Sequence, residues 1–106
     1  MKSNTCLTML KALADETRWQ IVQTLLANPN TVGELAERLR ISPYNASKHV
    51  KILRVAGIVA TEKAGKTVEC RVADGFRKKL SKNEQTLDLG CCTFRFDRVA
   101  PVVRQK

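Results

Sequence analysis

Long apolar runs are missing from this 106-residue sequence. Lys11, Asp15 and Glu16 interrupt every apolar stretch near the N-terminus, so no signal-peptide core is expected there. Nothing approaches the ~18 apolar residues of a membrane-spanning helix. The expected compartment is the cytoplasm, where thiols stay reduced. Aromatic residues make up only 5% of the chain, and no platform of interleaved aromatic and basic residues is present to stack unpaired bases. RNA is therefore a poorer partner than duplex DNA. Histidine occurs once, as His49. Gly-rich phosphate loops, paired catalytic carboxylates, a Cys–His nucleophile arrangement and Cys-x-x-Cys are all lacking, so the chain is not expected to be an enzyme.

What is present starts with charge. A 43% hydrophobic and 27% charged composition is that of an ordinary globular protein, and the length fits one domain. The balance of 19 Lys and Arg against 10 Asp and Glu leaves +9. From Met1 to Glu37 there are three basic and four acidic residues; from Arg38 to Lys66 there are seven basic residues and one acidic, Glu62. A basic middle fits a face for a polyanion, with a plainly solvated face as the alternative.

Helical periodicity begins with Leu7, Leu10, Leu13 and Ala14, which predict an amphipathic helix over 4–13. Asp15 then caps a second helix, Glu16 to Ala27, whose apolar stripe holds Trp19, Ile21, Val22, Leu25 and Leu26. Asn28-Pro29-Asn30 stops it. Thr31-Val32-Gly33-Glu34 is a capping box that opens a short helix through Leu39. After Arg40-Ile41, Ser42 is an N-cap and Pro43 the first residue of a helix to Ala56, closed by Gly57. Two short helices joined by a tight turn, the second strongly capped, spell helix-turn-helix.

In that second helix Ala46, Val50 and Leu53 face inward. The candidate DNA contacts are Ser42, Tyr44, Asn45, Ser47, Lys48, His49, Lys51 and Arg54, weighted toward the N-terminal half that enters a major groove. Residues 58–63 and 67–72 form a hairpin about Ala64-Gly65-Lys66. Such a hairpin is a wing, with Lys63 and Lys66 reaching phosphates. The fold class is therefore mainly α with a β-hairpin wing, a winged helix-turn-helix over residues 1–73. Residues 74–106 are a C-terminal extension of the same domain. That extension predicts one helical turn at Phe76–Leu80 and an alternating strand from Leu87 to Asp97, in place of a long C-terminal helix.

These residues resemble the ArsR/SmtB family of winged helix-turn-helix repressors. The likeness runs from Leu10 to Val72 through Leu10-Lys11-Ala12-Leu13-Ala14-Asp15-Glu16-Thr17-Arg18, Glu34-Leu35-Ala36, Ile41-Ser42-Pro43, Ser47-Lys48-His49-Val50 and Ala56-Gly57-Ile58-Val59. The resemblance implies a cytosolic homodimer that represses an operon by binding double-stranded operator DNA and leaves it when an inducer binds. It also implies a DNA-proximal or packing role for His49 ahead of a metal-ligand role. Two effector sites of the family do not carry over: residues 31–39 contain no Cys-x-Cys, and no long C-terminal helix brings carboxylate and His ligands. Zinc or nickel sensing of those types is not expected.

The four cysteines, at positions 6, 70, 91 and 92, read as thiols or ligands and not as a disulfide framework. The adjacent pair Cys91-Cys92, with Cys6 as third ligand, matches soft acceptors such as trivalent arsenic. Family members with a vicinal C-terminal pair are arsenical sensors. An arsenical is then an inducer, and no constitutive cofactor is expected. Redox sensing and simple packing as small apolar residues remain open for the pair. Cys70 is the weakest ligand candidate. In one regular strand Cys91 and Cys92 point to opposite faces, so chelation needs a turn, which Gly90 can supply. The apolar strand face with Leu87 and Leu89 is expected, with the first helix, to need a partner subunit.

Overall fold

The computed structural model of the chain describes residues 2–82 and 86–95, apart from the side chains of residues 2–4 and 94. Among these, the order is α1 (Lys2–Leu13), α2 (Glu16–Ala27), β1 (Asn30–Thr31), α3 (Val32–Leu39), α4 (Pro43–Val55), β2 (Val59–Ala64), β3 (Thr67–Val72), α5 (Asp74–Arg77), β4 (Thr86–Asp88) and β5 (Thr93–Arg95). This is a winged helix-turn-helix. None of the described helices is long and apolar enough to cross a membrane.

Local chemistry sets each boundary of the central motif. The Asp15 carboxylate accepts the Arg18 backbone N–H at 3.0 Å and starts α2. In the capping box the Glu34 N–H donates to Thr31 Oγ1 at 3.1 Å, and the Thr31 N–H to Glu34 Oε1 at 2.8 Å. Arg40 closes α3 in the left-handed conformation, at φ 59°. Ser42 Oγ then accepts the Asn45 N–H at 3.0 Å and opens α4, with Pro43 in its first turn. At the far end Ile58 N–H reaches the Leu53 carbonyl at 2.9 Å and Gly57 N–H the Arg54 carbonyl at 3.0 Å. That bond pattern is a Schellman cap, and Gly57 supplies its left-handed residue at φ 84°. The chain is thereby turned from the helix straight into the wing.

The wing pairs β2 with β3, from Val59↔Val72 to Ala64↔Thr67, around Gly65 at φ 63°. A third strand, β1, adds to the other edge of β3 through Asn30↔Cys70 and Thr31↔Glu69. Periodicity cannot reveal so short a strand, and Asn28-Pro29-Asn30 reads as a helix stop. Asn30 is buried all the same. Its amide donates to the Asn28 carbonyl at 3.0 Å and accepts from Arg38 Nε at 3.1 Å.

Four expectations need correcting. The buried stripe of α1 is Cys6, Met9, Ala12 and Leu13, whereas Leu7 is 48% exposed and Ala14 exposed. Two stripes interleave on this helix, and the one carrying Cys6 and Met9 meets the core. The alternating stretch from Leu87 is also not one strand. It folds into a hairpin, Thr86↔Arg95 to Asp88↔Thr93, with Gly90 at φ 98° in the turn. Asp88 accepts the Gly90 N–H at 2.9 Å, and Leu89 N–H donates to the Cys92 carbonyl at 2.9 Å. Phe96 and Asp97 lie outside the described residues. The helical turn falls at Asp74–Arg77, ahead of its expected place, so that Phe76 enters the core fully. Leu87 and Leu89 are buried in the same core, so this apolar face is covered within one chain and needs no partner subunit.

Gly57 gives a direct test of the cap. An added Cβ there meets only Met9 Cε at 3.5 Å, an ordinary contact, so the cost of Gly57→Ala is conformational. It should destabilise by about 1–2 kcal/mol and lower the thermal midpoint by roughly 5–10 °C. Gly33→Ala, in a normal helical conformation where an added Cβ meets only Thr31 Oγ1 at 3.9 Å, should leave the midpoint unchanged or raise it slightly. Equal midpoints for the two variants would refute the role given to the cap.

Candidate functional site

The exposed face of α4 follows from what its opposite face must do. Ala46, Val50, Leu53 and Ala56 are buried, and the helical repeat then turns Tyr44, Ser47, Lys48 and Lys51 outward. Tyr44 is 72% exposed, with Lys48 Nζ 5.5 Å from its ring centroid. Asn45 and Arg54 are also exposed, and exposed Ser42 is committed to its cap. Lys63 and Lys66 stand exposed near the wing tip. The wing also carries an exposed ion pair, Arg71 to Glu62 at 3.8 Å.

His49 is different. It is half-buried, and its Nδ1 lies 3.1 Å from Arg18 Nη1. A guanidinium only donates, so Nδ1 is the acceptor in this contact. Arg18 also donates from Nε to the Ala12 carbonyl at 2.6 Å and lies 3.9 Å from Asp15 Oδ2. One side chain thus ties the end of α1, the start of α2 and the recognition helix together. The Asp15 carboxyl is held below its ordinary range, first by the Arg18 backbone N–H and further by the guanidinium, against the opposing effect of burial. Arg18 was not singled out from sequence, because its partners Ala12 and His49 come together only in the fold.

The cysteines divide into two kinds. The Sγ atoms of Cys6, Cys91 and Cys92 all lie within 4.8 Å of one another. Cys6 comes from the buried face of α1, and the other two come from the turn between β4 and β5. The Cys91 N–H also donates to Cys6 Sγ at 3.1 Å. Cys6 and Cys91 form a disulfide, with Cα atoms 6.0 Å apart, while Cys92 is a free, half-buried thiol. This corrects the expectation of thiols throughout. The turn at Gly90 puts Cys91 directly over α1, at a spacing that a disulfide spans without backbone movement. The turn also removes the opposite-face problem of a regular strand.

Cys70 stands apart. It is fully buried in β3, and burial followed by the Glu69 charge pushes its thiol up to about 11 from 9.0. It packs as a small apolar residue and is inert.

These elements define a winged helix-turn-helix regulator with an exposed basic reading helix and, on the far side of α1, a sulfur cluster. The family described as bacterial regulatory protein, arsR family, matches residues 15–61. The transcriptional activator HlyU of Vibrio cholerae is 47% identical over 60 residues, covering 57% of this chain and 56% of that protein. The repressor SmtB of Mycobacterium tuberculosis is 39% identical over 66 residues, covering 62% and 49%. A solved structure of Vibrio cholerae HlyU superposes with a TM-score of 0.64 at 40% identity, covering 68% of this chain and 78% of that one. A homodimeric winged helix-turn-helix domain from Mycobacterium bovis, Mb0332, gives 0.65 at 25% identity, covering 68% and 67%. This chain belongs to the ArsR family. It spans about half the length of the curated relatives it matches. Those relatives are transcriptional regulators and not enzymes.

The contrast among the cysteines can be measured by alkylation after mild reduction. Cys91 and Cys92, in the turn, should label in the folded protein, and the buried Cys6 and Cys70 only on unfolding. The raised Cys70 value also sets a pH window. Its contribution to stability is present below pH 9.0 and is lost as pH rises toward about 11, because the unfolded chain ionises first. Cys70→Ala should flatten the alkaline fall in that window relative to the parent chain. Prompt labelling of Cys70 in the native state would contradict this assignment.

Proposed function

We propose that this protein is a homodimeric, cytoplasmic repressor that binds double-stranded operator DNA through α4 and the wing. Trivalent arsenic, as arsenite or methylarsenite, releases it by binding Cys6, Cys91 and Cys92 of one chain. The observation that carries the inducer assignment is the convergence of three sulfurs within 4.8 Å. Soft thiolates select soft acceptors. Three thiols condense with As(OH)3 to form three S–As bonds and release three waters; methylarsenite uses two. The Cys6–Cys91 disulfide must first take up two electrons and two protons from a cellular thiol reductant, since Cys92 is the one thiol of the cluster that it leaves.

Homodimerisation is supported by the homodimeric Mycobacterium bovis domain. The exposed Leu7 on the outer side of α1 is available for such a contact. The sign of regulation differs among the relatives, HlyU being an activator and SmtB a repressor. Repression is the reading that fits release by an inducer. The path from sulfur to DNA runs along α1 from Cys6 to Ala12, whose carbonyl holds Arg18, and from Arg18 to His49 in the recognition helix.

A second reading rests on the disulfide. An oxidant that closes Cys6–Cys91 would change the same α1–hairpin contact, which makes the cluster a redox switch. An effector-independent regulator is the third outcome.

One titration separates the three. Reduced protein on labelled promoter DNA is followed by anisotropy against arsenite, methylarsenite, zinc and diamide. Release by an arsenical and not by zinc is expected. Cys91→Ser/Cys92→Ser should bind DNA with unchanged affinity and ignore the arsenical. Arg18→Gln should still bind arsenic, by its sulfur–arsenic absorbance, with weakened release. Lys48→Gln should reduce the salt slope of DNA binding by about one per subunit, or about two for the dimer. Release by diamide alone would transfer the site to redox sensing, and indifference to every reagent would leave a constitutive regulator.

A further inference from the structure

A second concave surface lies on the other side of α1, between that helix and the recognition helix. It is a groove of about 370 Å³, within the range of small-molecule sites. Its floor is apolar, from Ala12 on α1 and from Ile52 and Val55 on α4. Ile52 is 42% exposed and Val55 71%, although both are large aliphatic residues in a helix whose other aliphatic side chains are buried. The rim carries Lys11, Lys51 and Arg18, and no acidic residue lines the groove. Arg18 is already committed to Ala12 and His49. Neither Lys11 nor Lys51 has an ion-pair partner among the described residues.

We propose that this groove binds an amphipathic anion, a medium-chain carboxylate, with its tail on Ile52 and Val55 and its head group between Lys11 and Lys51. Charge complementarity selects this occupant over two others. A second copy of the chain docked on its own groove by two-fold symmetry brings the same patch against itself, and three cations would face three cations. A DNA phosphate would satisfy the lysines and gain nothing from the apolar floor. Val55 also lies about 16 Å along the helix axis from Tyr44, away from the N-terminal half that enters a groove. An aliphatic carboxylate uses both features, burying apolar carbon while two ammonium groups neutralise its head. The site is independent of the sulfur cluster, which occupies the core side of the same helix. A ligand here touches α1, Arg18 and the recognition helix together, so it would act on the geometry that presents Tyr44 and Lys48 to DNA.

The test is calorimetric titration of the intact protein with decanoate below its micelle concentration, with decyltrimethylammonium as the cationic control of equal tail. One decanoate per chain is expected, with the cation at least tenfold weaker. Val55→Asp and Lys11→Glu should each weaken decanoate at least fivefold, with circular dichroism showing that the fold is kept. Both positions are exposed, so neither change disturbs the core. Equal binding of cation and anion would reduce the groove to a merely greasy surface and overturn the proposal. Undiminished decanoate binding by both variants would place the ligand elsewhere. A shift of Val55→Asp from dimer to monomer in light scattering would assign the groove to a second copy instead.

Discussion

The buried stripe of the recognition helix governs the arrangement of everything that can touch a ligand. Val50, Leu53 and Ala56 pack into a core shared with Ile21, Val22 and Leu25 of α2 and Leu35 of α3, and Ala46 is fully buried on the same stripe. Burial of these side chains fixes the rotation of α4 about its axis, and helical geometry then leaves Tyr44, Ser47, Lys48 and Lys51 outside. Leu53 and Ile58, both fully buried, bracket the Gly57 turn. The same packing therefore sets the angle at which the wing leaves the recognition helix.

The first helix is the element through which the remaining features communicate. Its core side carries Cys6 beneath the C-terminal turn, with Met9 and Leu13 in the common core. Its flank carries Lys11 and Ala12 beside Ile52 and Val55. Its end is tied by the Ala12 carbonyl to Arg18, and through Arg18 to His49. A small displacement of α1 cannot be absorbed locally, because the interior is close-packed and the Arg18 contacts are directional. The sulfur cluster on one side of α1 and the groove on the other thus both adjoin the helix that Arg18 ties to His49.

The central motif was legible in the sequence because its determinants are local. Thr31 with Glu34, Ser42 with Pro43, and Gly57 act on backbone groups within a few residues, so chemistry and position can be read together. The wing was legible for the same reason, through β-branched runs about Gly65. What escaped depends on contacts distant in sequence. Strand β1 exists only because β3 offers an edge to Asn30 and Thr31. The inward face of α1 is decided by which of two interleaved stripes the core accepts, and Leu7 lost to Cys6 and Met9. The split of the alternating stretch at 87–97 turns on Gly90, whose freedom at positive φ outweighs a pattern that favours one extended strand.

The cysteines show how far environment, and not residue type, decides chemistry. Two sulfurs adjacent in sequence would point apart on a strand. The Asp88 carboxylate and the left-handed Gly90 fold the chain so that both approach a third sulfur 85 residues from Cys91 in sequence. Cys70, on a regular strand between two neighbours, is fully buried with only the Val68 carbonyl near its sulfur, and burial holds its proton on. The sequence pair Cys91-Cys92 is therefore only half of the site. The other half is the turn that aims it and the α1 residue it is aimed at, and neither half has meaning without the core that brings both ends of the chain together.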